Sequence, residues 1–138
     1  MTSIKLTPAD IAISLCVRER ANGCEICGNP NTQSCHFEGR GNWATRFEPL
    51  NLFAFCYGHH CLMDGRKLTF EKWIEKRRGK KTLSYIWSLA RDVDLGQKIR
   101  DTKGKGEIAE HFQNQYKIML EKRATGITGW LDFEPYKP

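Results

Sequence analysis

Cys24 and Cys27 have two residues between them, and Cys56 and His59 repeat that spacing farther along the chain. Two intervening residues let one tight turn aim both side chains at a single ion, and Zn²⁺ favours tetrahedral sets of thiolate and imidazole ligands. The four residues form a candidate structural zinc site, with His60 and Cys61 as alternatives for its fourth position. Gly28 after the first pair and Gly58 inside the second suit the sharp backbone such turns need. A redox reading of Cys-x-x-Cys calls for a surrounding βαβ pattern, and none is visible. In a small domain with a loop-rich first half, the metal supplies much of the folding energy.

Between and just beyond the two half-sites lie Cys35-His36-Phe37, Asn51-Leu52 and His60. These side chains suit hydrolysis of a phosphodiester, which needs an activated water, in-line geometry and a cation to stabilise developing charge. The His36 imidazole titrates near neutrality and can take the proton from water. His60 can help to hold a catalytic divalent ion. The Asn51 amide, with two donors and an acceptor, can tie the loop that carries the base to its neighbour. Cys35 is a poor ligand for a hard cation and reads as a packed small residue. Arg40 and Arg46 bracket the base and are assigned to phosphate binding, since a guanidinium can grip a phosphate in two places. The run Lys76-Arg77-Arg78-Gly79-Lys80-Lys81 would extend a nucleic-acid footprint. His111 falls on the polar side of a helix, away from this chemistry.

The elements that must position these groups read as a small α+β unit followed by helices. Residues 1–22 form an N-terminal helix, with Thr7 as N-cap, Pro8 at the first helical position, and Ile11, Leu15 and Cys16 along one face. Asn22-Gly23 ends it. Residues 23–68 form the zinc-bound core, with short strands at 34–38 and 52–56 and a short helix at 56–63 stopped by Asp64-Gly65. A helical extension spans 69–125. Thr69 caps a helix carrying Phe70, Trp73 and Ile74, and Thr82 caps one carrying Leu83, Ile86, Trp87 and Ala90. The last helix, 107–123, turns Ile108, Phe112, Tyr116, Met119 and Leu120 inward. The linker 101–106 is polar, and residues 126–138 form an extended tail that docks as a strap.

A length of 138 residues fits a single domain, and 40% apolar with 28% charged residues is a globular composition. No apolar run approaches the ~20 residues that cross a bilayer, and the start MTSIKLTPAD lacks the features of a signal peptide. A soluble, cytoplasmic protein without a membrane partner is expected. Six cysteines without an export signal point to metal rather than disulfides. The excess of 22 Lys and Arg over 16 Asp and Glu, a net +6, favours a polyanionic partner.

A strand His, an Asn and a helix His interleaved with a zinc knuckle is the arrangement of HNH (ββα-metal) endonucleases. Within that superfamily the chain resembles the phage recombination endonucleases of the NinG/Rap type, over residues 24 to about 79. His36-Phe37-Glu-Gly-Arg40 resembles their His-Phe-x-x-Arg, and Arg46-Phe47-Glu48-x-x-Asn51 resembles their Arg-Phe-x-x-x-Asn. Cys56-Tyr57-Gly-His59-His60-x-x-x-x-Gly65 resembles their Cys-Tyr-x-Cys-Asn-x-x-x-x-Gly. The resemblance implies a ββα-metal fold with His36 as general base, Asn51 as the central Asn and residue 60 as the third catalytic position. Zinc would sit on Cys24, Cys27, Cys56 and residue 59. It implies DNA cleavage with Mg²⁺ or Mn²⁺, on duplex or branched recombination intermediates, in the host cytoplasm if the chain is phage-encoded, with a homodimer as one possible assembly. The chain departs from the pattern in having His at 59 for Cys, His at 60 for Asn, and Cys at 35 where many HNH enzymes carry an Asp. A non-catalytic zinc module that binds nucleic acid is the competing reading.

Overall fold

The computed structural model describes residues 5–138, so the first residues of the expected N-terminal segment lie outside the described part. Among the described residues the chain is α+β, with seven α-helices and one two-stranded antiparallel sheet. The first helix, α1 (Pro8–Ala21), starts at a capping box in which Thr7 and Asp10 bond each other's backbone and side chain. It ends at Asn22 in the left-handed region, φ 52°. Its buried face is Ala12, Ile13, Cys16 and Val17, and Ile11, expected inside, is 55% exposed.

Strand β1 (Gln33–His36) pairs with β2 (Leu52–Phe55), with His36 opposite Leu52 and Cys35 opposite Phe53. Directly opposed residues share a face, so the little sheet divides two cores. Leu52 and Ala54 point into one, built with Ile13, Val17, Phe112 and Met119. Cys35, Phe53 and Phe55 point into the other, with Phe70, Ile74 and Ile86. The rings of Phe53 and Phe70 meet edge to face at 5.2 Å. Every residue of β2 is buried, as a strand sandwiched between two apolar layers must be.

Between the strands runs α2 (Trp43–Arg46), and α3 (Tyr57–Met63) follows β2 directly. Then come α4 (Lys67–Arg78), α5 (Lys80–Ala90), α6 (Val93–Asp101) and α7 (Glu107–Ala124). Thr69 and Thr82 do not cap their helices. Each helix starts three residues earlier than that reading, and Gly79 at φ 92° is the single break between α4 and α5. The Thr82 hydroxyl instead donates back to the Arg78 carbonyl at 3.0 Å. Leu120 is 44% exposed rather than inward. The tail runs extended over α1 and α7: the Leu131 amide donates to the Arg20 carbonyl at 3.0 Å, and Phe133 is buried against Phe112. No described helix is long and apolar enough to cross a membrane.

Candidate metal centre and the adjoining cleft

The turn after α1 closes tightly. The Cys24 amide donates to the Asn29 carbonyl and the Gly28 amide to the Cys24 carbonyl, both at 2.8 Å. Gly23 must be glycine here, because its φ is 132° and a Cβ would lie 3.0 Å from the Gly28 carbonyl oxygen. Glu25 fastens the turn to the sheet, its amide donating to Ala54 and its carboxylate accepting from the Ala54 amide at 2.7 Å. On the other side, Cys56 is the N-cap of α3, and His59 lies in that helix's first turn.

These two elements bring Cys24, Cys27, Cys56 and His59 together, all four ligand atoms within 4.8 Å of one another. Tetrahedral zinc with Zn–S near ~2.3 Å and Zn–N near ~2.0 Å requires S···S of about 3.8 Å and S···N of about 3.5 Å. The cluster has Cys27 Sγ to Cys56 Sγ at 3.8 Å, and His59 Nδ1 at 3.6 and 3.3 Å from Cys24 and Cys56 Sγ. The residues fit a structural zinc ion in donor type and in spacing. Burial pushes the Cys24 thiol up, but amides of Cys56, Cys27 and Ile26 and the His59 ring outweigh it, bringing it to about 6. His59 is the residue that completes this four-residue cluster. His60 and the exposed Cys61 stand outside the four.

A cleft of roughly 560 Å³ opens beside this centre, between α1, β1 and the end of α3. It is lined by His36, His60, Arg40 and, from α3's end, Asp64. His36 Nε2 lies 2.9 Å from the Arg46 carbonyl oxygen. That oxygen can only accept, so Nε2 carries the proton and a neutral ring leaves Nδ1 as its base. Burial lowers the His36 pKa below the usual histidine value, more than the Arg46 carbonyl and Asp10 raise it. His60 Nδ1 is paired likewise with Gln33 Oε1 at 2.7 Å, which leaves its Nε2 free. Asp64 lies one helical turn on from His60, a carboxylate whose signal in sequence, Asp64-Gly65, is that of a helix stop. Two buried polar atoms of residues that line the cleft, Ser34 Oγ and Arg40 Nη1, have no hydrogen-bond partner among the described residues.

Cys35 also borders the cleft but is buried, and burial together with the Asp64 charge pushes its thiol up to about 12. It stays protonated and is no ligand for a hard ion. Asn51 is 0% exposed and does not line the cleft. Its Oδ1 accepts from the Glu38 amide at 2.8 Å, and its Nδ2 donates to the Glu38 and Thr45 carbonyls. These bonds fix the chain just after His36.

Two of the arginines expected on DNA are structural instead. Arg46 is 3% exposed and forks onto Asp10, Nε to Oδ1 at 3.0 Å and Nη2 to Oδ2 at 2.7 Å. Its side chain thus ties α1 to the carbonyl that orients His36. Arg78 turns inward, pairing with Glu25 at 2.9 Å and lying 4.0 Å over the Phe53 ring. Lys76, Arg77, Lys80 and Lys81 are exposed at the α4–α5 corner, with Lys80 3.5 Å from Glu75. His111 bonds the Glu134 carbonyl at 2.8 Å and serves to seat the tail.

Asp10→Asn leaves a buried guanidinium uncompensated and is expected to destabilise the fold by about 3–5 kcal/mol, read as a drop in urea midpoint. Burial raises the Asp10 pKa, but the hydrogen bonds from Arg46 and Thr7 prevail and hold it below the usual value. The pair's contribution is therefore complete above the ordinary aspartate pKa of ~3.9 and is lost as pH falls through the lower folded value. The variant should lack that acid limb. An unchanged midpoint would count against the pair's role.

Compared with known protein families, with curated proteins and with solved structures, the chain matches none.

Proposed function

We propose that this protein is a metal-dependent DNA endonuclease of the HNH type, hydrolysing phosphodiester bonds in the cleft beside the zinc centre. One observation carries the reading. A neutral histidine, with one ring nitrogen committed to a backbone carbonyl, shares an open cleft with a second histidine, a carboxylate and two unpartnered polar atoms. His36 is the general base. Its Nδ1 takes a proton from a water as that oxygen bonds to phosphorus and the opposite ester oxygen departs. Its depressed pKa keeps the ring unprotonated at neutral pH. Arg40 and Ser34 supply donors for the phosphate oxygens, a role that accounts for their lack of partners among the described residues.

His60 Nε2 and the Asp64 carboxylate are the groups that would hold a Mg²⁺ or Mn²⁺ ion. A single carboxylate suits such ions, which keep waters and bind substrate phosphates, and the imidazole would add one nitrogen to that oxygen shell. Bound there, the cation would stabilise charge on the phosphate and the leaving oxygen. Lys76, Arg77, Lys80 and Lys81 offer phosphate contacts beyond the cleft. Branched recombination DNA as the substrate rests on the resemblance to the NinG/Rap type.

The test is a panel of labelled duplex, nicked, single-stranded and branched DNA, incubated with zinc-loaded protein and Mg²⁺ or Mn²⁺. Cleavage of at least one substrate is expected. Asp64→Asn, at an exposed position, should raise the half-saturating cation concentration at least about tenfold without changing the melting temperature. Zinc-loaded protein that cuts nothing with either ion would end the nuclease reading.

A further inference from the structure

The cleft does not stop at His36. Through Arg18, Thr32 and Gln33 it joins a second groove of roughly 450 Å³, which runs between α1 and the zinc-centre turn. That volume falls within the ~300–1,000 Å³ of sites that enclose small ligands. Its walls differ in kind from the cleft's. Tyr57 is 72% exposed at the first position of α3, and Tyr116 faces the groove from α7. Asn22 and Asn31 present side-chain amides beside them. The Arg18 guanidinium makes one hydrogen bond, to the Ser14 carbonyl at 3.4 Å, and no ion pair among the described residues. Glu19, the acidic group of the groove, is neutralised by Arg123 at 3.0 Å.

We infer that this groove is a subsite for an unpaired nucleotide of the DNA strand whose phosphate lies in the cleft. Aromatic faces, amides and one uncommitted guanidinium match a base, its hydrogen-bonding edge and a phosphate. The shape selects against a duplex. In paired DNA the base faces are stacked inside, out of reach of Tyr57, and a convex double helix cannot enter a concave groove. A single nucleotide splayed from the strand can. The inference rests on the nuclease reading and narrows it to DNA with an unpaired segment next to the scissile bond. Since Arg18 borders both cavities, it would bind the phosphate that links the two nucleotides.

The experiment measures binding by fluorescence anisotropy, with zinc-loaded His36→Ala protein in Mg²⁺ so that cleavage is slow on the timescale of the measurement. The probes are a blunt duplex and the same duplex with an unpaired tail. Tailed DNA should bind on the order of tenfold more tightly, the effect of one base stacked on an aromatic ring. Tyr57→Ala should abolish that preference, and Tyr57→Phe should keep it. Arg18→Gln should lower the salt slope of log K by about 0.7 on tailed DNA only. Equal affinity for the two probes, or equal weakening of both by Tyr57→Ala, overturns the subsite while cleavage in the substrate panel keeps the nuclease. Failure to bind either probe overturns both.

Discussion

Replacing His36 with alanine is expected to slow DNA cleavage by about 10²–10⁴-fold, with DNA affinity and zinc content close to wild type. The argument is local. The ring hangs at the end of β1, one nitrogen is committed to the Arg46 carbonyl, and the ring shares the cleft with Ser34 and Arg40. Losing the ring forfeits one hydrogen bond, worth about 1 kcal/mol of stability, so the variant should fold. The pH profile sharpens the test. Burial depresses the His36 pKa, and a base works unprotonated, so the rate should stay level as pH falls to ~6.5, the ordinary histidine value. It should decline only below that. The same sign applies to folding, where stability linked to this ring is full above ~6.5 and is lost on the way down to the folded value. Cleavage by His36→Ala at the wild-type rate, or an acid limb centred above pH 7, would remove His36 from the chemistry.

How much of this arrangement was legible in the sequence depends on the range over which each residue's partner acts. The metal cluster was readable because its signal is local twice over. Each half-site needs only a two-residue spacing, and the structure's task is to bring the halves together. Strand β2 was readable from its apolar run, and the end of α1 from Asn22-Gly23. Arg46 and Arg78 were misread because the carboxylates that claim them, Asp10 and Glu25, are remote in the chain. An arginine beside a catalytic residue looks the same in sequence whether it faces solvent or an acid. Helix α6 escaped because it is short and carries Gly96, a residue that ordinarily argues against helix. Here α6 packs on α2, where a Cβ at Gly96 would meet the Ala44 amide nitrogen at 3.6 Å, an ordinary contact, so tertiary packing rather than a need for glycine sets this helix. Asp64 hid behind its other role, since Asp-Gly reads as punctuation. Only the helical turn that separates it from His60 ties it to the cleft.

Stripping the metal with a strong chelator, or replacing Cys24 with alanine, is expected to unfold the whole chain and not merely loosen a loop. The two half-sites bind the end of α1, the end of β2 and the start of α3 at one point. Cys24 and Cys56 are themselves members of the core that holds Phe53, Phe55 and Phe70. The strand that leads into Cys56 also forms the wall of the opposite core. A break at the centre therefore reaches both. The magnitudes agree: structural zinc supplies apparent binding energies of about 10–16 kcal/mol, whereas a domain of this size has about 5–15 kcal/mol of stability in all. Circular dichroism should show loss of helix and of the cooperative melt on chelation. Zn²⁺ should restore both and Mg²⁺ should not, because thiolates select the softer ion. Cleavage should vanish with the fold and return with zinc plus Mg²⁺, but with neither ion alone. A metal-free protein that still melts cooperatively within a few degrees of the zinc form would mean that the two cores hold the cleft by themselves. The zinc centre would then have to be explained by something other than the placement of His36 and His60.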